Sequence, residues 1–262
     1  MCGRYVNSMS APDMARVFDA ADETDTEWNG SYNVAPTQSA PIIVRDTAAD
    51  GEEDRETSRI LRMAHFGLIP SWSKDSSMAT RMINARIETV STSRAYRKPF
   101  SVRRAVVPVS GWYEWQAVPG AKKQPYFFTF GPDTPIALAG LWERWKPKGS
   151  DAGVTWSFTI VTCPAGSSRM ADIHPRMSYV LPTGRIAEWL GEGSASTDDL
   201  LRGPAADDVA SLEVYPVSRS VGAVRNNGPE LVERVAVDVG SDTDVAGRKV
   251  AEKSDSDTLP GL

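Results

Sequence analysis

The sequence is poor in cysteine and histidine, with two of each among 262 residues. Cys2 and Cys163 lie far apart, and neither stands in a CxxC or a mixed Cys/His spacing. A disulfide framework needs several paired cysteines, and a structural zinc site needs clustered ligands at short intervals. The sequence therefore argues against both, and we expect no metal site.

Long hydrophobic runs are also missing. No apolar stretch approaches the roughly 18 residues that a helix needs to span a bilayer, and Asp13, Arg16 and Asp19 interrupt any leader-like segment near the start. Hydrophobic residues make up 41% of the chain and charged residues 24%, which is typical of a globular protein in water. We therefore expect a cytoplasmic protein with no membrane partner.

An excess of positive charge is absent as well. The formal net charge is −5, which by itself argues against a nucleic-acid partner. The charges are segregated, however: acidic residues concentrate at 46–56 and from Asp238 onward, whereas 81–104 carries basic residues against a single acid, Glu88. A basic surface can therefore exist on this acidic chain, although a solvated basic face explains the composition equally well.

Many short strand-like runs separated by Gly and Pro, with few helical patterns, predict an α+β fold. We expect a single domain on a strongly bent antiparallel, barrel-like β-sheet with short peripheral helices. The first helix should start at Ser10 as N-cap and bury one apolar face, formed by Met14, Val17, Phe18 and Ala21.

The predicted domain covers residues 2–237. Within it, the acidic and polar segment 46–58 is expected to be an exposed loop. Residues 238–262 show no hydrophobic periodicity and are rich in Asp, Ser and Lys, so we expect a disordered tail.

The most reactive group is at the start of the chain. Initiator methionine is usually trimmed when a small residue such as Cys2 follows, and trimming leaves an α-amine and a thiol on one residue. The amine can condense with an aldehyde, and the thiol can then close onto the imine carbon as a thiazolidine. The alternative is an incidental cysteine in a poorly ordered terminus.

Three further positions carry side chains suited to chemistry. Asn84 and Arg86 alternate around Ala85, so in an extended segment both side chains point to one face, where they could bind a backbone or a phosphate. Glu114 stands among aromatic residues, whose desolvation would raise its pKa toward that of a proton donor. His174 precedes a proline in an irregular segment and titrates near neutrality. Each residue alone is equally compatible with a surface or structural role.

Together these pieces resemble the SRAP family, named "SOS response-associated peptidase" and understood as abasic-site-processing proteins. The resemblance spans nearly the whole chain to about Val235. It rests on six ordered stretches: Met1–Tyr5 (MCGRY), 32–37 (YNVAPT), 67–72 (GLIPSW), 83–89 (INARIET), 111–115 (GWYEW) and 174–177 (HPRM).

The resemblance implies that Cys2, once Met1 is removed, forms a thiazolidine crosslink with the ring-opened aldehyde of an abasic site in single-stranded DNA. It implies that Asn84 positions the Cys2 amine and the sugar, that Glu114 shuttles protons, and that His174 acts as acid or base on the opened sugar. No cofactor is needed. The protein would protect the lesion in the DNA damage response, associating with the nucleoid when bound.

The resemblance also implies a DNA-binding surface, acting as a monomer, with sites at single/double-strand junctions as a further target. The residues assigned to it are Arg4, Arg86 and Arg176 for phosphates, Trp72 and Trp115 for neighbouring bases, and Pro36 as a wedge at a junction. Two positions depart from the pattern: Phe66 stands where tryptophan is expected before the glycine, and Ser178 stands where proline is expected after Arg-Met.

Two alternatives remain open at this point. One is an N-terminal cysteine peptidase or amidohydrolase in which Glu114 and His174 assist Cys2; self-removal of Met1 is compatible with it. The other is a non-covalent binder of damaged or modified DNA.

Overall fold

A computed structural model of the chain describes residues 2–45, 59–147, 149, 153–166 and 170–236. The predicted acidic loop at 46–58 and the predicted tail at 238–262 lie outside the described residues. The described part contains fourteen strands: β1 (Arg4–Asn7), β2 (Ala20–Asp22), β3 (Ser31–Val34), β4 (Ser39–Arg45), β5 (Arg59–Phe66), β6 (Asn84–Arg86), β7 (Arg104–Val109), β8 (Gly111–Gln116), β9 (Gln124–Thr129), β10 (Ile136–Trp145), β11 (Thr155–Pro164), β12 (Arg176–Ser178), β13 (Val180–Leu181) and β14 (Glu213–Pro216).

Five strands close into a barrel in the order β11-β10-β7-β4-β5, and β5 returns to pair with β11. The four strand pairings within this order are antiparallel. The closing contact is parallel, with Ser157 opposite His65 and Phe158 opposite Phe66. Closure leaves these strands without free edges. The predicted barrel-like α+β fold is confirmed, and the parallel closing pair is a feature that the sequence did not indicate.

A second, five-stranded sheet has the order β14-β9-β8-β1-β3. Its strand β1 is paired on both sides, with Arg4 opposite Tyr113 of β8 and Tyr5 opposite Val34 of β3. Tyr5 also turns its ring edge toward Phe66 of the barrel, with the ring centroids 5.7 Å apart. The segment next to Cys2 is therefore held between two strands and against the barrel.

Four short helices lie outside the sheets: α1 (Ala11–Phe18), α2 (Arg97–Val102), α3 (Ile186–Leu190) and α4 (Thr197–Leu201). None of the described helices is long and apolar enough to cross a lipid bilayer. In α1 the Ser10 hydroxyl accepts a hydrogen bond from the Asp13 N–H at 3.2 Å, as the N-cap assignment predicts.

Two details of the predicted elements are wrong. Val17 is 43% exposed, because α1 buries a narrow stripe around Met14 and Phe18 with Val17 at its edge. Asp19 adopts a left-handed conformation with φ of 51° and ends the helix, so Ala21 belongs to β2 instead.

Closure of the barrel brings Phe66 against Phe158, with their rings stacked at 5.1 Å. Both side chains are fully buried. Phe66→Ala should therefore lower the free energy of unfolding by about 3–5 kcal/mol, from lost transfer energy and the cavity left behind. Urea denaturation measures this loss. The matched control is Val102→Ala, at a side chain that is 59% exposed, where a change within about 0.5 kcal/mol is expected. Equal effects at the two positions would contradict this account of closure.

Candidate functional site

Cys2 lies two residues before the start of β1 and is fully buried. Its thiol points toward the Arg4 carbonyl, with the sulfur 3.9 Å from the oxygen. Its own carbonyl accepts a hydrogen bond of 3.0 Å from the Asn84 side-chain amide. The backbone of the predicted nucleophile is therefore fixed by a residue 82 positions away in sequence.

Asn84 is the first residue of β6, which pairs in parallel with β11 and places Asn84 opposite Ile160. The Tyr96 hydroxyl donates to the Asn84 backbone carbonyl at 3.1 Å. The Asn84 side-chain oxygen is buried and has no hydrogen-bond partner among the described residues. One end of this amide therefore holds Cys2, and the other end is an acceptor suited to a ligand hydroxyl or amine.

Glu114 stands in the middle of β8 and is 2% exposed, so the alternative of a surface glutamate is wrong. Burial raises its pKa from 4.5 to about 7. A carboxyl group with such a pKa exists in both protonation states near neutral pH, which suits an acid or base catalyst.

The Cys2 thiol is affected by the same environment. Burial, followed by the charge of Glu114, raises the pKa of the thiol to about 12. The thiol is therefore protonated near neutral pH. Nucleophilic attack by this sulfur therefore needs a group that accepts the thiol proton.

Arg86, Arg176 and Thr162 form a cluster beside Asn84. Thr162 of β11 is opposite Arg86 in β6. Arg176 donates to the Thr162 hydroxyl and carbonyl at 3.2 and 2.7 Å. It also binds Glu88 through two hydrogen bonds of 2.8 and 3.0 Å. Arg86 is exposed, whereas the Arg176 side chain is 15% exposed. The cluster thus has one guanidinium in solvent and one held by a carboxylate.

His174 lies in the irregular segment before β12, as predicted. Its Nδ1 is 3.1 Å from the backbone nitrogen and 2.9 Å from the backbone oxygen of Arg176. Burial lowers the pKa of the ring below 6.5, so the neutral form is favoured near pH 7. Because the backbone holds Nδ1, proton exchange with a ligand would use Nε2.

Arg4 has internal partners. Its guanidinium donates to the Asn33 side chain at 2.8 Å, to the Val221 carbonyl at 2.8 Å and to the Gly222 carbonyl at 3.3 Å. It therefore ties β1 to the segment after β14. Phosphate binding by Arg4 stays a prediction.

Trp72 and Pro36, which were predicted to contact a base and a junction, lie on two loops at one end of β5, whereas Trp115 lies in β8. Trp72 is 45% exposed, and the Arg94 guanidinium lies 4.8 Å from its ring centroid. The Pro36 loop meets the same end, since the Thr37 N–H donates to the Phe66 carbonyl at 2.8 Å. Trp115 is partly buried and packs obliquely against Tyr113 at 6.5 Å.

The loop that carries Trp72 depends on one glycine. Gly67 has a φ of +123°, and a Cβ there would come within 2.4 Å of the Ala79 carbonyl oxygen. Any other residue would strain the backbone and push the loop from its place. Within the described ranges, no group of three or more His, Cys, Asp or Glu side chains could hold a metal ion.

Sequence comparison identifies the family of the chain. The profile of the family described as "SOS response associated peptidase (SRAP)" matches residues 1–224. The chain belongs to the SRAP family. It is 34% identical to "Abasic site processing protein YoqW" of Bacillus subtilis over 89% of this chain and 99% of that one. It is 30% identical to "Abasic site processing protein YedK" of Escherichia coli over 90% and 100%. It is 28% identical to "Abasic site processing protein HMCES" of Gallus gallus over 92% and 79%.

Solved structures show the same fold. A protein from Bacteroides thetaiotaomicron superposes with a TM-score of 0.72 at 22% identity, covering 90% of this SRAP chain and all 100% of that chain. A phage-related protein from Bordetella bronchiseptica gives a TM-score of 0.59 at 26% identity, covering 83% and 95%.

Sequence reasoning did not single out three residues that the structure places near the predicted ones. The Tyr5 hydroxyl is buried, and the pKa of Tyr5 is raised by burial and by Cys2. Ser178 is buried and lowers the pKa of the Cys2 thiol. Arg94 stacks on Trp72. Arg94 was noted only as part of a basic stretch, and Ser178 only as a departure from the family pattern, which was the signal that could have marked it.

The raised pKa of Glu114 predicts a specific pH dependence of stability. The unfolded carboxyl loses its proton near pH 4.5 and the folded one near pH 7. Stability from this group is fully present below pH 4.5 and is lost as the pH rises to 7. Relative to Glu114→Gln, which does not titrate, the native protein should lose about 3 kcal/mol of unfolding free energy across that window. Urea titrations of both proteins at a series of pH values measure the difference. A difference that does not change with pH would contradict a buried, raised-pKa Glu114.

Proposed function

We propose that this SRAP protein processes abasic sites in single-stranded DNA and forms a covalent thiazolidine crosslink through Cys2 after Met1 has been removed. The observation that carries the proposal is the contact of Cys2 with Asn84 and its electrostatic coupling to Glu114. The names of the curated relatives, all abasic site processing proteins, support the choice of substrate.

The reaction has two stages. The α-amine of Cys2 adds to the aldehyde carbon of the ring-opened sugar, and the resulting carbinolamine loses water to give an imine. The sulfur then bonds to the imine carbon, the C=N electron pair moves to nitrogen, and the thiol proton is transferred to that nitrogen. The net change is the loss of one water. While Met1 is attached, the amine is an amide and neither stage can occur.

Glu114 suits both stages because its pKa of about 7 makes both protonation states available. The acid form donates a proton to the leaving hydroxyl of the carbinolamine, and the carboxylate then accepts the thiol proton. Asn84 fixes the Cys2 carbonyl and offers its buried oxygen to the sugar. His174, through Nε2, exchanges protons with the opened sugar and assists reversal of the crosslink.

The DNA backbone would follow the exposed Arg86 and the loops of Trp72 and Pro36. An abasic site offers no base, so recognition should rest on phosphates, on sugar, and on stacking of the flanking bases against Trp72 and Trp115. Pro36 would act at the duplex edge of a junction. Sequence preference should be weak. The crosslinked lesion would be shielded during the DNA damage response, with the protein acting as a monomer at the nucleoid.

Replacing Cys2 tests this proposal directly. Cys2→Ala should abolish the covalent band formed with a single-stranded oligonucleotide that carries an abasic site after uracil excision, because both reacting groups of the thiazolidine belong to this residue. Denaturing gels and intact mass measure the adduct, and the mass also reports Met1 loss. Cys163→Ala is the matched control at the other buried cysteine and should crosslink at the native yield.

A stable crosslink by Cys2→Ala would remove Cys2 from the reaction. Peptide cleavage by the native protein, with no abasic-dependent gel shift, would favour the peptidase alternative. Retention of DNA under native conditions only, for both native protein and Cys2→Ala, would favour the non-covalent binder.

Arg86 should contribute to capture of the DNA before reaction. In the Cys2→Ala background, Arg86→Gln should weaken binding to single-stranded DNA about fivefold and lower the salt dependence of log K by about 0.7, as expected for one lost phosphate contact on a single strand. Fluorescence anisotropy over a salt series measures both values. Arg202→Gln, at an exposed arginine paired with Asp199 beyond α4, is the control. Binding by Arg86→Gln that matches the control would exclude a phosphate contact.

A further inference from the structure

Ser178 is a fully buried residue that the proposed reaction does not otherwise use. It is the last residue of β12 and lies opposite Thr162 of β11, whose other neighbour is Arg86 in β6. Paired residues of adjacent strands direct their side chains to the same face, and residues two apart share that face. The Ser178 side chain is therefore on the sheet face that carries Asn84, whose amide holds Cys2.

The Ser178 hydroxyl is fully buried, and its oxygen has no hydrogen-bond partner among the described residues. Buried hydroxyl groups almost always have a partner, because leaving one unsatisfied costs free energy. The Ser178 hydroxyl is therefore available to form a hydrogen bond during the reaction.

The neighbour that responds to this hydroxyl is the Cys2 thiol. Burial and the charge of Glu114 raise the pKa of the thiol, and Ser178 acts in the opposite direction and lowers it. Hydroxyl and thiol therefore interact, although the resting geometry is not that of a directed hydrogen bond. Both side chains have no solvent exposure, so water does not compete for the contact.

We propose that Ser178 is a positioning residue that orients the Cys2 sulfur and donates a hydrogen bond to it as the sulfur attacks the imine carbon. This inference rests on the proposed function and adds a residue to it. It concerns ring closure only, because the amine that forms the imine does not depend on the state of the thiol.

The step balances without any further reagent. A carbon–sulfur bond forms, the C=N electron pair moves to nitrogen, and the thiol proton passes through the Glu114 carboxylate to that nitrogen, which becomes the N–H of the ring. The Ser178 hydroxyl keeps its own proton and stabilises negative charge on sulfur during the transfer.

The test separates the two stages in the Met1-free protein with an abasic single-stranded oligonucleotide. Cyanoborohydride traps the imine, whereas the thiazolidine accumulates without reductant, and intact mass quantifies both. Ser178→Ala should form the imine at the native rate and close the ring about tenfold more slowly, the effect expected for one lost hydrogen bond. The rate of ring closure by Ser178→Ala should also begin to rise at a higher pH than the rate of the native protein. Ser178→Thr, which keeps the hydroxyl, should restore most of the rate.

Equal closure rates and pH profiles in Ser178→Ala and the native protein would overturn the inference. So would equal loss of imine formation and closure, which would indicate a general structural effect. An unchanged urea midpoint for Ser178→Ala establishes that its fold is intact. If the native protein forms neither imine nor thiazolidine with abasic DNA, the proposed function fails. Ser178 is then judged on thiazolidine formation between Cys2 and glyoxylate, where slower closure by Ser178→Ala supports the inference and an equal rate overturns it.

Discussion

The arrangement of the site depends on the two-sided pairing of β1. Because β1 hydrogen-bonds to both β8 and β3, Cys2 and Gly3, which precede this strand, do not fray as chain ends usually do. The Asn84 amide adds a third attachment at the Cys2 carbonyl, and Arg4 ties the same strand to Val221. A thiol on a mobile terminus would sample many positions, whereas this one is buried and held in place.

Burial has opposite consequences for the groups that it brings together. It moves the pKa of Glu114 toward neutrality, where a proton donor and acceptor is most useful, and it moves the pKa of Cys2 away from neutrality. Burial therefore favours proton transfer by Glu114 and disfavours the thiolate form of Cys2. In the proposed chemistry the amine reacts first, and the thiol loses its proton only when the Glu114 carboxylate accepts it.

The arginines show how far composition can predict a surface. The basic stretch 81–104 contains both structural and exposed cations, and the sequence alone does not distinguish them. Arg103 pairs with Glu143 inside the fold, and Arg104 donates to the backbone carbonyls of Phe100 and Trp189. Arg86 and Arg94, in contrast, are exposed. Which members could meet a phosphate was decided by the packing around each guanidinium, because charge alone does not specify a partner.

The sequence by itself determined the six ordered motifs and the class of fold, because hydrophobic periodicity, turn residues and a shared residue pattern are local signals. It predicted the N-cap of α1 and the irregular backbone at His174. Tertiary structure alone decided that β5 closes the barrel in parallel with β11, that Glu114 is buried, and that Ser178 lies beside Cys2. Each of these depends on contacts between residues far apart in the chain, and their geometry follows from packing, which no short stretch of sequence contains.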